Sequence, residues 1–177
     1  MHTEIVRKPL IEPVTLEEVK DYLHIEHDTE DNLLAHFIQS AREYIEEFVG
    51  RAFMTQVRRV TFLGQRGRRK RYFLSSAPFL NLEGPVLLNG QPYQAYHLIK
   101  GMGQAMLCLH YPLQENDQLA VTFSCGYGEN PQDVPTLYRH AILIKVGELY
   151  HNRSGTAKAD TSYLRDLLAH TQSLRFV

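Results

Sequence analysis

The chain has no apolar run approaching the length of a membrane span, no signal-peptide architecture at Met1-His2-Thr3-Glu4, and almost no net charge. The first two absences argue against a helical membrane protein and predict one made and kept in a cytoplasm. The third is a formal charge of -1 from 19 basic and 20 acidic residues, which argues against bulk affinity for nucleic acid. Any DNA contact must then come from a local patch. Cysteine is scarce. Cys108 and Cys125 each sit in a strand-like stretch and read as small buried thiols, since two isolated cysteines lack metal-ligand spacing and cytosolic thiols stay reduced. No low-complexity tract and no internal repeat interrupts the sequence.

Catalytic motifs are missing as well. Nine histidines invite a metal, but His24 and His27 stand at a helix end and no HExxH occurs. His140 and His151 lie about three turns apart on one helix, too far to share an ion. There is no GxSxG, and Ser124-Cys125-Gly126 is a strand meeting a turn. Gly126-Tyr127-Gly128 lacks both the third glycine and the following Lys-Ser/Thr of a phosphate loop, so turn glycines are the better account. The chain is therefore expected to have no catalytic residue, no metal and no cofactor, and not to be an enzyme.

What is present is a well-punctuated α+β pattern. At 177 residues and 44% hydrophobic content, a single domain over 1–177 is expected. Residues 1–12 read as a loose arm. Thr15 and Glu18 form a capping box for a helix carrying Leu16, Val19, Tyr22 and Leu23, ended by His24-Ile25. Asp28, Thr29 and Asp31 are cap candidates for a second helix, whose apolar stripe is Leu34, Phe37, Ile38, Ala41, Ile45 and Phe48. Glu43, Glu46 and Glu47 fall on its other side, as a solvated face, and Gly50 is the left-handed C-cap. This helix pair spans 13–50.

An antiparallel β insertion follows over 53–124. Strands are expected at Gln56–Leu63, Arg71–Leu74, Val86–Leu88, Tyr96–Lys100, Ala105–Leu109 and from Leu119 to Ser124. Asn89-Gly90 and Gly101-Met102-Gly103 mark hairpins. Val134-Pro135 opens a central helix over 134–153, with Pro135 in its first turn, that is apolar nearly all round: Leu137, Ala141, Ile142, Leu143, Ile144, Val146 and Leu149. Residues 154–177 complete the chain as a flexible linker, beginning near His151, and a short helix capped by Asp160 or Thr161.

One cluster stands out chemically. Arg66, Arg68, Arg69, Lys70 and Arg71, helped by Arg58 and Arg59, form a basic run between two strands. It reads either as a hairpin tip whose charges discourage edge pairing or as a loop facing phosphates.

The ordered set PVTLEEVKDYL, DTEDNLL, AREYIEEFVGRAF, VTFSCGYG, and VP followed by an apolar helix ending ELYHNR resembles the head–tail connector (head-completion, portal-adaptor) proteins of long-tailed bacteriophages and prophages. Leu167-Leu168-Ala169 and Arg175 match the family's terminal LLA…R pattern, with His170-Thr171 where Pro-Tyr is commoner. The resemblance implies a structural part without catalysis. It implies a ring of twelve copies below the portal protein, presenting a surface to a downstream head-completion or tail protein. The place implied is the head–tail junction of the virion, after assembly in the host bacterial cytoplasm. Arg66, Arg68, Arg69, Lys70 and Arg71 are candidates for the DNA channel or its rim, touching packaged double-stranded DNA without sequence preference. Leu164, Leu167 and Leu168 are candidates for partner docking. Two rival readings are a small-ligand or enzymatic domain lined by Tyr93, Tyr96, His97 and His110, and a DNA-binding regulator using the basic loop.

Overall fold

The computed structural model describes residues 1–65, 69–74, 76–101, 103–153 and 162–172. Along the chain run β1 (His2–Arg7), α1 (Leu16–Leu23), α2 (Asp31–Val49), β2 (Gln56–Leu63), β3 (Arg71–Leu74) and β4 (Phe79–Leu82). Then come β5 (Leu87–Leu88), β6 (Gln91–Pro92), β7 (Tyr96–Gly101), β8 (Gln104–Leu109), β9 (Gln118–Cys125), α3 (Thr136–His151) and α4 (Ser162–Gln172). The mixture of helices with antiparallel sheets is the expected α+β class. The elements fall into two compact units. A β unit comprises Met1–Pro9 and Thr55–Tyr127, and a helical unit comprises Leu10–Met54 and Gly128–Val177.

In the β unit, β2 and β9 pair antiparallel over their whole length, Gln56 opposite Cys125 and Leu63 opposite Gln118. Alternation sends Val60, Phe62, Leu119, Val121 and Phe123 to the buried side. The other edge of β9 is shared by β4 and by the β5–β6 hairpin, whose turn residues Asn89 and Gly90 both take positive φ (51° and 80°), as the sequence anticipates. A second sheet, in the order β3-β8-β7, turns Tyr72, Leu74, Ala105, Leu107 and Leu109 inward. The Phe62 and Tyr72 rings meet at 4.9 Å between the two sheets. Each fully buried large apolar side chain contributes about 1.5–3 kcal/mol. The amino-terminal residues are not a loose arm. β1 pairs antiparallel with the free edge of β2, His2 opposite Thr61 and Arg7 opposite Val57. Backbone groups on that edge need partners, whereas the side chains of β1 stay mostly exposed, so no apolar alternation announced the strand.

The helical unit is built on α2, which buries Leu34, Ile38, Ala41, Ile45 and Val49. Gly50 closes it at φ 69°, as expected. At its start, Glu30 is the cap residue and makes no side-chain cap. The expected candidates Asp28 and Asp31 instead accept hydrogen bonds from Lys20 Nζ. Helix α1 keeps its predicted capping box, with Thr15 Oγ1 accepting from Glu18 N–H at 3.1 Å and Glu18 accepting from Thr15 N–H at 2.8 Å. Helix α3 packs against α1, α2 and α4. Pro135 is its N-cap, one residue before the first turn. Burial is confined to Tyr138, Ala141, Ile142, Lys145, Val146 and Gly147, while Leu143, Ile144 and Leu149 are half-buried and Leu137 is exposed. The stacked rings of Phe53 and Tyr138, 4.8 Å apart, tie the segment after α2 to α3. The linker from 154 and the cap candidates Asp160 and Thr161 lie outside the described residues.

Candidate functional site

Buried charges hold the helical unit in register. Arg42 and Glu46, one turn apart on α2, are only 2% and 3% exposed. The guanidinium donates to Glu12 Oε2 at 2.7 Å and Glu46 Oε2 at 3.2 Å, with Glu43 at 3.5 Å. The other oxygen of Glu46 accepts the Phe53 N–H at 2.7 Å. Burial works against the charged guanidinium, yet Glu12, Glu46 and Glu43 together hold its pKa above the ordinary value. The expectation that Glu46 belongs to a solvated face is therefore corrected. Its neighbour Arg42 neutralises it, which lets the carboxylate turn inward and hold the chain after α2 at Phe53, while Arg42 holds Glu12 ahead of α1.

Arg139 on α3 does the same for the first motif. It donates to the Pro13 carbonyl at 3.0 Å and pairs with Glu18. Burial raises the Glu18 pKa, but the Thr15 N–H and Arg139 outweigh it, leaving the carboxyl below its ordinary value. PVTLEEV and the arginine four residues after Pro135 thus form one device. Neither Arg42 nor Arg139 stood out in the sequence. The available signal was an arginine placed among acids inside an otherwise apolar helix.

The turn glycines behave structurally. A Cβ on Gly128 would lie 2.0 Å from Asp133 Oδ2, an oxygen that accepts the Asn130 N–H ahead of α3. Gly126 sits at φ 135° and donates its N–H to the Pro78 carbonyl. Backbone economy accounts for both, with no cradle for phosphate. Among the described residues, no group of three or more His, Cys, Asp or Glu side chains is placed to hold a metal, and no helix is long and apolar enough to cross a membrane.

The rival pocket does not form as drawn. His97 and His110 touch, Nε2 to Nε2 at 2.9 Å, on the outer face of the small sheet. Tyr96 precedes His97 in β7 and pairs with Leu109 on the opposite face, so these side chains cannot line one cavity.

Of the basic run, Arg66 and Arg68 lie outside the described residues. Arg69 donates to the Arg71 carbonyl and covers the Tyr72 ring, and Lys70 donates to the His110 carbonyl. Arg58 and Arg59 are held elsewhere on β2, by Gln56 and Ser76 and by Glu4 and Thr122. Arg71 is exposed and opens the outer face of the small sheet. There the cross-strand row Arg71, Cys108, His97 runs beside a second row, Phe73, Met106, Ile99. Phe73 is 42% and Ile99 51% exposed, an apolar strip on a solvent-facing sheet. Cys125 is buried as expected, whereas Cys108 is only half-buried on this face. Leu164 and Leu168 of α4 are buried against Tyr44, Ile45 and Phe48 of α2 in the same chain, and Leu167 is half-buried.

Fold and geometry define an α+β protein whose helical unit carries internal ion pairs and whose small sheet exposes an apolar strip. Solved structures share this fold. A chain in the neck of an empty gene transfer agent (GTA) particle, computed with C6 symmetry, superposes with a TM-score of 0.80 at 17% identity, covering 100% of this chain and 98% of that one. A chain in the neck of a native GTA particle, computed with C12 symmetry, gives 0.75 at 18% identity with the same coverage. A chain from the virion of a native GTA particle gives 0.79 at 17% identity, again covering 100% and 98%. A sequence comparison with curated proteins found no match. The head completion protein family model matches residues 12–138, and the chain belongs to that family. A structural role in joining head to tail follows from this membership.

Proposed function

We propose that this protein is a non-enzymatic ring adaptor, seated below the portal vertex of a DNA-filled phage head, onto which the next completion or tail protein docks. The carrying observation is family membership over residues 12–138, which takes in both helices of the N-terminal pair, the whole β unit from Thr55 and the start of α3. The fold shared with GTA neck chains supports a place in a neck. A ring of twelve satisfies both the C6 and the C12 symmetry with which those necks were computed. The ion-paired interior of the helical unit fits a rigid part better than a reactive one, because its buried charges are committed to one another.

Deleting the chain from its phage or prophage and examining lysates by electron microscopy tests the reading. Filled heads and free tails should accumulate separately, and adding the purified full chain should join them. Normal numbers of joined virions without the chain would overturn it. Assembly is placed in the host bacterial cytoplasm, where fractionation should find the unassembled chain.

A further inference from the structure

The near-zero net charge conceals a division. The β unit contains ten Lys or Arg and four Asp or Glu residues, a net +6, while the helical unit contains nine and sixteen, a net -7; together these give the -1 of the chain. Four carboxylates within the β unit cannot neutralise its ten cations one to one. Arg71 is one of these cations, exposed at the end of the strip Phe73, Met106, Ile99 and without a described side-chain partner. The helical unit has the converse. Glu17 and Asp21, one turn apart on α1, and Glu26 just beyond it are exposed and unpaired among the described residues, and the adjoining Tyr22 is 43% exposed.

We propose that the outer face of the β3-β8-β7 sheet of one copy docks on the α1 face of a second copy, with Arg71 meeting Glu17 and Asp21 while the apolar strip is covered by the helix around Tyr22. The inference rests on the ring reading and names its contact. Duplex DNA would match the cations but leave Phe73, Met106 and Ile99 in water, since phosphates offer nothing apolar to cover them. A second copy matches both. Segregated charge also selects the geometry. Two β faces repel and two α1 faces repel, so the attractive pairing is a β face of one copy on the α1 face of another, the kind of contact that a ring repeats.

The experiment uses full chains at concentrations where the unmutated protein assembles, alone or on heads that lack it, followed by sedimentation velocity and electron microscopy. One variant carries Arg71→Glu, the other Glu17→Lys and Asp21→Lys; all three residues are exposed, and circular dichroism checks the fold of each. Each variant alone should associate at least about tenfold more weakly, because reversed rim charges repel the partner. Mixed in equal amounts, the two variants should assemble again, every contact being restored with its charges in the original or the swapped sense. Assembly by either variant alone as well as the unmutated chain overturns the contact while leaving the ring reading in place. So does a mixture that fails to recover, or a β-face variant that still assembles but no longer retains duplex DNA. Failure of the unmutated chain to assemble in either setting overturns the ring reading itself, and the contact with it.

Discussion

The two units of this chain solve the same problem by different means. The β unit is held by long backbone ladders and interlocked apolar faces, and its few acids leave its cations to the outside. The helical unit pairs each of several cations with its own acids, while Glu17, Asp21 and Glu26 stay exposed. Arg42 joins Glu12 and Glu46, Arg139 joins Glu18, Lys20 joins Asp28 and Asp31, and Arg153 joins Glu30. The helical unit should therefore be the more sensitive of the two to pH and to loss of a charged partner.

The strongest way to break this contrast is Arg42→Ala. It leaves Glu46 and part of Glu12 uncompensated, and losing one partner of a buried pair costs about 3–5 kcal/mol. Urea titration followed by the helical circular dichroism signal should show an early transition, with the β unit's amide protons still protected from exchange. Loss of protection throughout the chain at the same denaturant concentration would show that the units do not differ in this way. Leu168→Ala comes next, at about 2–3 kcal/mol, because the side chain is fully buried. The same measurement asks whether the last helix serves the fold or a partner. An unchanged midpoint with lost joining would return Leu168 to the partner.

Acid should separate the units by a smaller margin. Glu18, Glu30 and Asp28 have carboxyls held below their ordinary values of 4.5, 4.5 and 3.8. The causes are the Thr15 N–H and Arg139 for Glu18, working against burial, Arg153 and Tyr150 for Glu30, and Lys20 for Asp28. A depressed carboxyl stabilises the fold above its unfolded pKa, and that stability is lost as pH falls through the folded one. Between about pH 5 and about pH 3 the thermal midpoint of the helical signal should fall, and Glu18→Gln should flatten the dependence. A variant curve as steep as the parent's would remove Glu18 from the explanation. The smallest effect is expected at Phe73→Ser or Ile99→Ser, within about 1 kcal/mol on stability, since both side chains are already about half exposed. A large loss of stability would mean that the strip is structural.

The sequence made the periodic parts legible: the stripe from Leu34 to Phe48, the Thr15–Glu18 box, the hairpin at Asn89-Gly90, and the alternation before Cys125. It hid whatever depended on pairing across distance. β1 carries no buried face, so its existence depends on the vacant edge of β2 and not on its own residues. Short β4 makes an irregular pairing with β9, too brief for a periodic signal. Glu46 read as solvated because its type was visible and its partner's position was not. Charge segregation was invisible for a related reason. The units interleave along the chain, so no continuous stretch of residues reports the balance of either. Nothing in the sequence separated Leu164 and Leu168 from surface leucines until α2 was seen to cover them.

That interleaving bears on synthesis. The chain lays down β1, moves into the helical unit, returns for β2 through β9, and only then supplies α3 and α4. The ribosome must therefore make roughly ninety residues after α2 before its apolar stripe can meet α3, a wait of about 5–20 s at bacterial rates. During that interval Leu34, Ile38 and Ile45 lack α3, whereas Arg42 already has Glu12, Glu43 and Glu46 beside it in the chain. An early stop codon between Thr55 and Tyr127 would thus strand an unfinished helix pair. An apolar stripe left uncovered during synthesis is the kind of surface that chaperones and proteases bind.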